Sequence, residues 1–274
     1  MKIYQPKGAA REYSPFALNI FSGCPNGCKY CYVPRIFARN TSYKHDDVFL
    51  KKDITTKDIW KEVERFARSA NREEQILLSF TGDIFCGLEK EKVAEVLQAL
   101  NHYELNYSVL TKRPQNAVEF VSYFQHNEKA KFGVSLTFHN EQKSREWEPF
   151  ADTPEERLQA LSYFKQSGVT TWASFEPVIE TAESFEMLQE VIRFSLCDFV
   201  KIGAISGRAD ILKANNWLEF VTACAELCRG AKLPVYFKND LAKQVPGFNF
   251  VGNERNADFF SQITKISFEH NSKI

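Results

Sequence analysis

Seven short apolar runs, each separated from the next by amphipathic sequence, constrain this chain more than any other feature. They are Ala17–Phe21, Ile76–Phe80, Asn106–Leu110, Phe132–Leu136, Thr170–Ser174, Phe199–Ala204 and Pro234–Phe237. Each is largely apolar with no strict alternation, the pattern of strands covered on both faces. The sequence between them has helical period. "TKDIWKEVERFARSA" places Ile59, Val63 and Phe66 on one face, and "TPEERLQALSYFKQSG" carries Thr153 as N-cap, Pro154 at the first helical position and Glu156 three residues past the cap, stopping at Gly168. "ESFEMLQEVIRFS" and "NNWLEFVTACAELCRG" follow the same pattern. Strand then helix, at roughly 30 residues per unit, is the βα repeat of a parallel sheet or barrel. About six such units exceed a small flavodoxin-like sheet, so the sequence predicts an α/β fold, a partial (β/α) TIM-type barrel.

The expected organisation is an N-terminal arm over residues 1–14, a barrel over 15–241 and a C-terminal strap over 242–274, where no period is clear. The first unit is long because a cysteine-rich loop and "RNTSYKHDDVFLKKD" follow its strand. The 35 Lys and Arg residues balance the 35 Asp and Glu residues, so no global field steers the chain toward nucleic acid or membrane. No apolar run approaches the roughly 20 residues of a membrane span, and the first residues lack a signal-peptide core. A cytoplasmic protein with reduced thiols is expected.

Seven cysteines, an odd number with three of them in "SGCPNGCKYCYVP", do not suit a disulfide framework. Cys24, Cys28 and Cys31 follow the first strand, at the barrel face where active-site loops gather. Gly23 and Gly27 let the backbone turn tightly there. Thiolates at this spacing ligate zinc or an iron–sulfur cluster. Zinc asks for a fourth ligand, for which His45 is the nearby candidate. A cubane held by three cysteines leaves one iron open to a substrate or cofactor.

These residues resemble the radical S-adenosylmethionine superfamily, whose loop reads Cys-x3-Cys-x2-Cys with an aromatic before the last cysteine, here Cys24, Cys28, Tyr30 and Cys31. The resemblance extends to the spore photoproduct lyase-like branch. It runs through "KGAAREYSPFALNIFSGCPNGCKYCYVP", "LTKRP", "GVSLT", "EWEPFADTPEERLQAL", "TTWASFEPVIE", "FVKIG" and "VYFKNDL" in that order, from Lys7 to Leu241. It implies a [4Fe–4S] cluster, S-adenosyl-L-methionine on the open iron, and a flavodoxin- or ferredoxin-type electron donor. It also implies reductive cleavage of S-adenosylmethionine to a 5′-deoxyadenosyl radical that abstracts hydrogen from a bound substrate.

By the same resemblance Cys24, Cys28 and Cys31 are cluster ligands, and Tyr30 and Tyr32 pack near the cluster or adenine. Thr81, Gly82 and Asp83 stand where the superfamily has a Gly-Gly-Glu-Pro segment holding the cofactor's amino group, although this chain departs from that motif. Lys112 is expected on the methionyl carboxylate and Ser135 on the ribose. Arg157 either reaches that carboxylate or braces Glu148. Arg113 precedes Pro114, which opens a helix; a cation gains nothing from the dipole there, so an anionic partner is expected.

Buried charge supplies the remaining candidates. Glu176 ends strand five and Lys201 lies inside strand six, and neither tolerates burial unpaired. They are expected to face one another and, with Lys238, to line the substrate side of the cavity. Cys86 is expected at the barrel mouth as a hydrogen-atom donor. Cys197 belongs at the barrel bottom, and Cys224 and Cys228 in the core beside Leu218, Val221 and Leu227. The substrate is open at this point: a nucleic-acid lesion by lyase-like chemistry, or a protein, peptide or small metabolite. A zinc-stabilised binding module is the non-enzymatic alternative.

Overall fold

The computed structural model describes residues 1–37, 49–50, 54–87 and 89–264. His45 lies outside the described residues, as does 265–274 of the expected strap. Seven parallel strands form one sheet whose spatial order is the chain order: β1 (Phe16–Ala17), β2 (Ile76–Leu78), β3 (Tyr107–Thr111), β4 (Lys131–Ser135), β5 (Thr170–Val178), β6 (Phe199–Ala204) and β7 (Val235–Phe237). β1 and β7 are not paired with each other, so the sheet curls into a half-barrel. The long helices α1 (Thr56–Ala67), α2 (Lys90–His102), α3 (Pro154–Gln166), α4 (Thr181–Arg193) and α5 (Trp217–Gly230) occupy crossovers.

Local chemistry explains these elements. α3 begins with the expected capping box between Thr153 and Glu156 and has Pro154 in its first turn; α1 has an equivalent box between Thr55 and Asp58. Ile59, Val63 and Phe66 of α1 are buried together. Strand residues alternate between two cores. Ile76, Leu78, Phe132, Val134, Val200 and Ile202 face outward into the main core under the helices. Leu77, Trp172, Phe199 and Tyr236 face inward and pack with Phe260. Doubly covered strands account for the continuous apolar runs. In α5, Cys224 and Cys228 are fully buried as expected, whereas Leu218 is 57% exposed and stands off the apolar face.

The first run is not one strand. β1 ends at Ala17, and Phe21–Ser22 pairs antiparallel with Phe49–Leu50. Between them Asn19 accepts from the Ser79 hydroxyl at 2.9 Å and the Phe80 amide at 2.6 Å. Its side chain replaces the ladder, and the chain turns out toward the cysteine loop.

Gly133 of β4 faces the interior, where an added Cβ would overlap the Trp172 indole. That indole donates to Ser108 Oγ at 3.0 Å, so it cannot move without losing a buried partner. Gly133→Ala is expected to destabilise the fold by about 1–3 kcal/mol. Thermal melting would show a drop of roughly 2–4 °C for each kcal/mol.

The N-terminal arm crosses the gap between the sheet edges. Tyr4 pairs antiparallel with Ala17 of β1, and a short 3₁₀ helix follows at Gly8–Glu12. The buried Glu12 carboxylate then accepts from the Tyr236 hydroxyl at 2.8 Å and the Asn239 amide at 2.7 Å, beside β7. At the other end of the barrel the helix Ala257–Gln262 brings Phe260 against Phe199 and Tyr236. Lys131, fully buried, donates there to Asn106 Oδ1 at 2.7 Å and the Ser261 carbonyl at 3.1 Å. No helix among the described residues is long and apolar enough to cross a membrane.

Candidate active site

A cavity of about 480 Å3 opens at the carboxyl ends of the strands, within the usual range for ligand sites. Cys24, Cys28 and Cys31 line one side of it and Tyr13, Glu176 and Lys238 another. The cysteine loop is seated by backbone. Gly23 donates its amide to the Thr81 carbonyl at 2.8 Å and forms a parallel bridge with Gly82. A Cβ on Gly82 would overlap the Gly23 carbonyl oxygen, so the close approach requires glycine. Gly27 has φ +63°, and a Cβ there would sit 3.1 Å from the Phe150 ring.

The loop is further tied to the strand ends through Asp83. Its carboxylate accepts from Thr111 Oγ1 at 2.8 Å, the Lys112 amide at 2.9 Å, the Phe85 amide at 3.0 Å and Asn26 Nδ2 at 3.3 Å. Asp83 lines the cavity, yet most of its acceptor capacity is spent bracing β2, β3 and the loop. Arg113 donates to Asn26 Oδ1 at 2.6 Å and the Cys86 carbonyl at 3.4 Å. Among the described residues its hydrogen bonds thus go to neutral oxygens, while the anion that feels its charge is the Asp152 carboxylate.

Glu148 is the hub of the opposite wall, where the sequence suggests only that Arg157 braces it. Fully buried, it pairs with Arg157 Nη2 at 2.6 Å and Lys112 Nζ at 3.3 Å. It also accepts from Thr137 Oγ1 at 3.0 Å and from the Tyr30 hydroxyl. Burial alone would raise its carboxyl, but Arg157 and Lys112 outweigh that and hold it at about 2. Arg157 also donates to the carbonyls of Ser135 at 3.0 Å and Asp152 at 2.8 Å. Of its two expected roles, the structure gives the brace. Lys112, by contrast, lines the cavity with Ser135 and Tyr30.

Burial raises all three loop thiols, with Cys28 pushed up to about 12 by desolvation and then by Glu148. Thiolates in this loop therefore need a cationic partner. Among the described residues no three His, Cys, Asp or Glu side chains converge as the ligands of a single metal ion do. A cubane takes each thiolate on a different iron, and the three thiols that line this cavity are donors of the kind it uses.

Glu176 and Lys238 meet as the charge argument required, at 2.5 Å. Lys201 does not join them. The register sets it opposite Ser174, below the level of Glu176, and it is absent from the cavity lining. Its Nζ donates to the carbonyls of Glu12 at 2.8 Å and Tyr13 at 3.2 Å, among the rings of Tyr13, Trp172, Tyr236 and Phe260. It thus anchors the arm. Cys86 is likewise corrected: it is 2% exposed within the main core and does not line the cavity, because the Asp83 turn directs it back toward the helices. Thr81 holds the loop through its carbonyl and donates to the Phe21 carbonyl at 3.2 Å, without lining the cavity. Tyr32, half exposed, lines the mouth and donates to the Phe80 carbonyl. Cys197 is buried in the main core. Tyr13 and Asn26 were missed. Tyr13 reaches the site through long-range contacts alone, whereas Asn26 sits between Cys24 and Cys28, where its place in the motif is the signal and its bonds to Asp83 and Arg113 are not legible.

Burial, then the nearby Lys238, lowers Lys201 to about 7, against the opposing effects of Glu12, Glu176 and Asp258. The unfolded chain binds this proton more tightly, so stability rises with pH from about 7 toward the usual lysine value of ~10.4. Wild type is expected to gain stability relative to Lys201→Met over that window, read as a widening difference in melting temperature.

The family described as "Protein of unknown function (DUF5131)" matches residues 10–246. The chain belongs to this family. No curated protein matches it in sequence. Among solved structures it is similar to a spore photoproduct lyase mutant with bound AdoMet and dinucleoside spore photoproduct, at a TM-score of 0.64 and 15% identity over 86% of this chain and 78% of that one. It is also similar to Streptococcus suis SuiB bound to S-adenosylmethionine, at 0.63 and 12% identity over 86% of this chain and 53% of that one, and to SuiB bound to the precursor peptide SuiA, at 0.63 and 12% over 86% and 52%. The chain thus spans about half the length of SuiB. The resemblance read from the sequence, to the spore photoproduct lyase-like branch, is borne out at the level of fold.

Proposed function

We propose that this chain is a radical S-adenosylmethionine enzyme with a [4Fe–4S] cluster on Cys24, Cys28 and Cys31. The observation that carries the reading is that these three thiols line one cavity at the strands' carboxyl ends, on a loop seated by Gly23 and Gly82. When bound, the cluster and S-adenosylmethionine supply one-electron cleavage of the sulfonium to methionine and a 5′-deoxyadenosyl radical that abstracts hydrogen from substrate. The protein's part is to bind, orient and exclude water. Lys112, held by Glu148, offers a cation to the methionyl carboxylate. Ser135 offers a hydroxyl to the ribose, while Gly82 and Asp83 border the amino group. Tyr30 and Tyr32 shield the loop. A flavodoxin- or ferredoxin-type protein serves as reductant.

The substrate enters a half-open recess of about 480 Å3, to whose wall the arm contributes Lys7, Ala9, Ala10 and Tyr13. Together with the zero net charge, this favours a small molecule or a single residue over a length of duplex, whose phosphates ask for clustered cations. A dinucleoside lesion, as bound by spore photoproduct lyase, is the nucleic-acid form that such a cavity admits.

The test is anaerobic reconstitution with iron and sulfide, then reduction with S-adenosylmethionine and assay for 5′-deoxyadenosine. A brown protein that forms it supports the proposal. A folded, colourless protein that retains zinc and forms none overturns it and brings His45 forward as a ligand. Binding of a lesion-bearing duplex with log affinity falling steeply against log salt would restore an extended nucleic-acid substrate.

A further inference from the structure

The cavity wall formed by Tyr13, Glu176 and Lys238 is built for more than an ion pair. Glu176 Oε2 takes both Lys238 Nζ, at 2.5 Å, and the Tyr13 hydroxyl, and that hydroxyl also meets Ser174 Oγ at 2.8 Å. Among the described residues the other oxygen, Oε1, accepts no hydrogen bond, and the Glu176 side chain keeps 18% of its exposure where Lys238 keeps 2%. Lys238 Nζ lies 4.2 Å from the centre of the Tyr13 ring, so that ring covers one side of it. Gly203 of β6 makes room for the pair: a Cβ there would stand 3.0 Å from Glu176 Cδ and 3.0 Å from Lys238 Cδ. Leu77, Phe80, Leu110, Ala204 and Ile205 give the same cavity apolar lining, interspersed with Ser79, Thr111 and Ser206.

Three distant parts of the chain thus converge on one acceptor beside one donor. An ion pair kept only for stability would be as well served by burying both carboxylate oxygens. Here the carboxylate is already neutralised by Lys238, so its open oxygen does not call for a second cation. It calls for a neutral N–H, and the ammonium beside it for a carbonyl. We propose that this wall is a substrate subsite that recognises an amide edge, a carbonyl and an N–H side by side, as in a lactam ring or a primary carboxamide. Glu176 Oε1 accepts the N–H, Lys238 donates to the carbonyl, and the apolar lining covers the rest. Tyr13 positions Glu176 and is itself placed by Lys201, through the Glu12 and Tyr13 carbonyls. That the recognised edge belongs to the molecule undergoing hydrogen abstraction rests on the function proposed above; the binding itself does not.

The test is ligand-observed NMR on the full chain, as purified and after reconstitution, with 2-pyrrolidinone, propionamide and N-methyl-2-pyrrolidinone as probes. The first two are expected to bind, and the N-methyl compound, which has no N–H, at least roughly tenfold more weakly, the equivalent of about 1.4 kcal/mol. Preference for the ring marks a cyclic substrate and preference for propionamide a carboxamide, each within the proposal. Glu176→Ala is expected to remove the discrimination and Lys238→Met to weaken all three probes alike, since each carries the carbonyl, while Glu176→Gln, which still presents a carbonyl oxygen, retains part of the discrimination. Equal binding of the N-methylated and free lactams to the wild-type protein, a comparison that needs no variant to fold, overturns the proposal. So does binding of neither free amide. Because the measurement needs neither iron nor turnover, its failure leaves the radical-enzyme reading standing, and a failed reconstitution leaves this one standing.

Discussion

Glu148→Ala is expected to cost the fold about 3–5 kcal/mol, the range for removing one partner of a buried ion pair, and to lower the melting temperature by roughly 10 °C. The effect is large because the carboxylate is fully buried among the groups it satisfies. Arg157, 1% exposed, and Lys112 would both lose their counter-charge, and the Thr137 and Tyr30 hydroxyls their acceptor. Glu148→Gln keeps the shape and an acceptor oxygen, so it should fall between. The two substitutions also separate by pH. With its carboxyl at about 2, below the usual ~4.3, folded protein binds this proton less tightly than unfolded chain. The stabilisation is fully present above pH ~4.3 and drains away as the pH falls toward 2. Wild type should therefore lose its advantage over Glu148→Gln on acidification through that window, as urea midpoints would show. A constant difference between them would mean that the carboxylate charge does not carry the stability.

The architecture was legible because its determinants are local. Period, caps and doubly apolar strands lie within windows of a few residues, and the sheet order then follows from right-handed βα connections between neighbours. The cysteine loop was legible for the same reason. What escaped the sequence depends on contacts across the chain. Glu176 and Lys201 were paired on the argument that buried charges need partners, which was sound. The choice of partner turned on register, since Lys201 is level with Ser174 and Lys238 follows the end of β7 at the height of Glu176. The arm's place in the cavity wall was invisible, because nothing in "KGAAREY" foretells that Glu12 will bridge to Tyr236 and Asn239. Cys86 was misplaced because a turn, unlike a strand, has no period from which to infer direction.

Gly82→Ala is expected to lower iron uptake on reconstitution on the order of tenfold or more, as losses of support around metal ligands do, while the barrel still folds. Gly82 lies beyond the last residue of β2, so the sheet does not need it. The cysteine loop does, because its pairing brings the Gly23 carbonyl into the space that a methyl group would fill. The added atom has to push the loop outward, breaking the 2.8 Å bond from the Gly23 amide to the Thr81 carbonyl, and Cys24 moves with it. On the proposed function Cys28→Ala sets the lower bound, since it removes one of the three proposed ligands and is expected to abolish both the brown colour and 5′-deoxyadenosine formation. Cys86→Ala sets the upper bound, since that thiol is packed in the core and its loss should leave iron uptake unchanged. Circular dichroism and iron analysis on the three variants separate the cases. Wild-type iron in Gly82→Ala would mean that the thiols find the metal without the barrel's backbone to seat them, and the loop would then be a flexible chelate and not a preformed site.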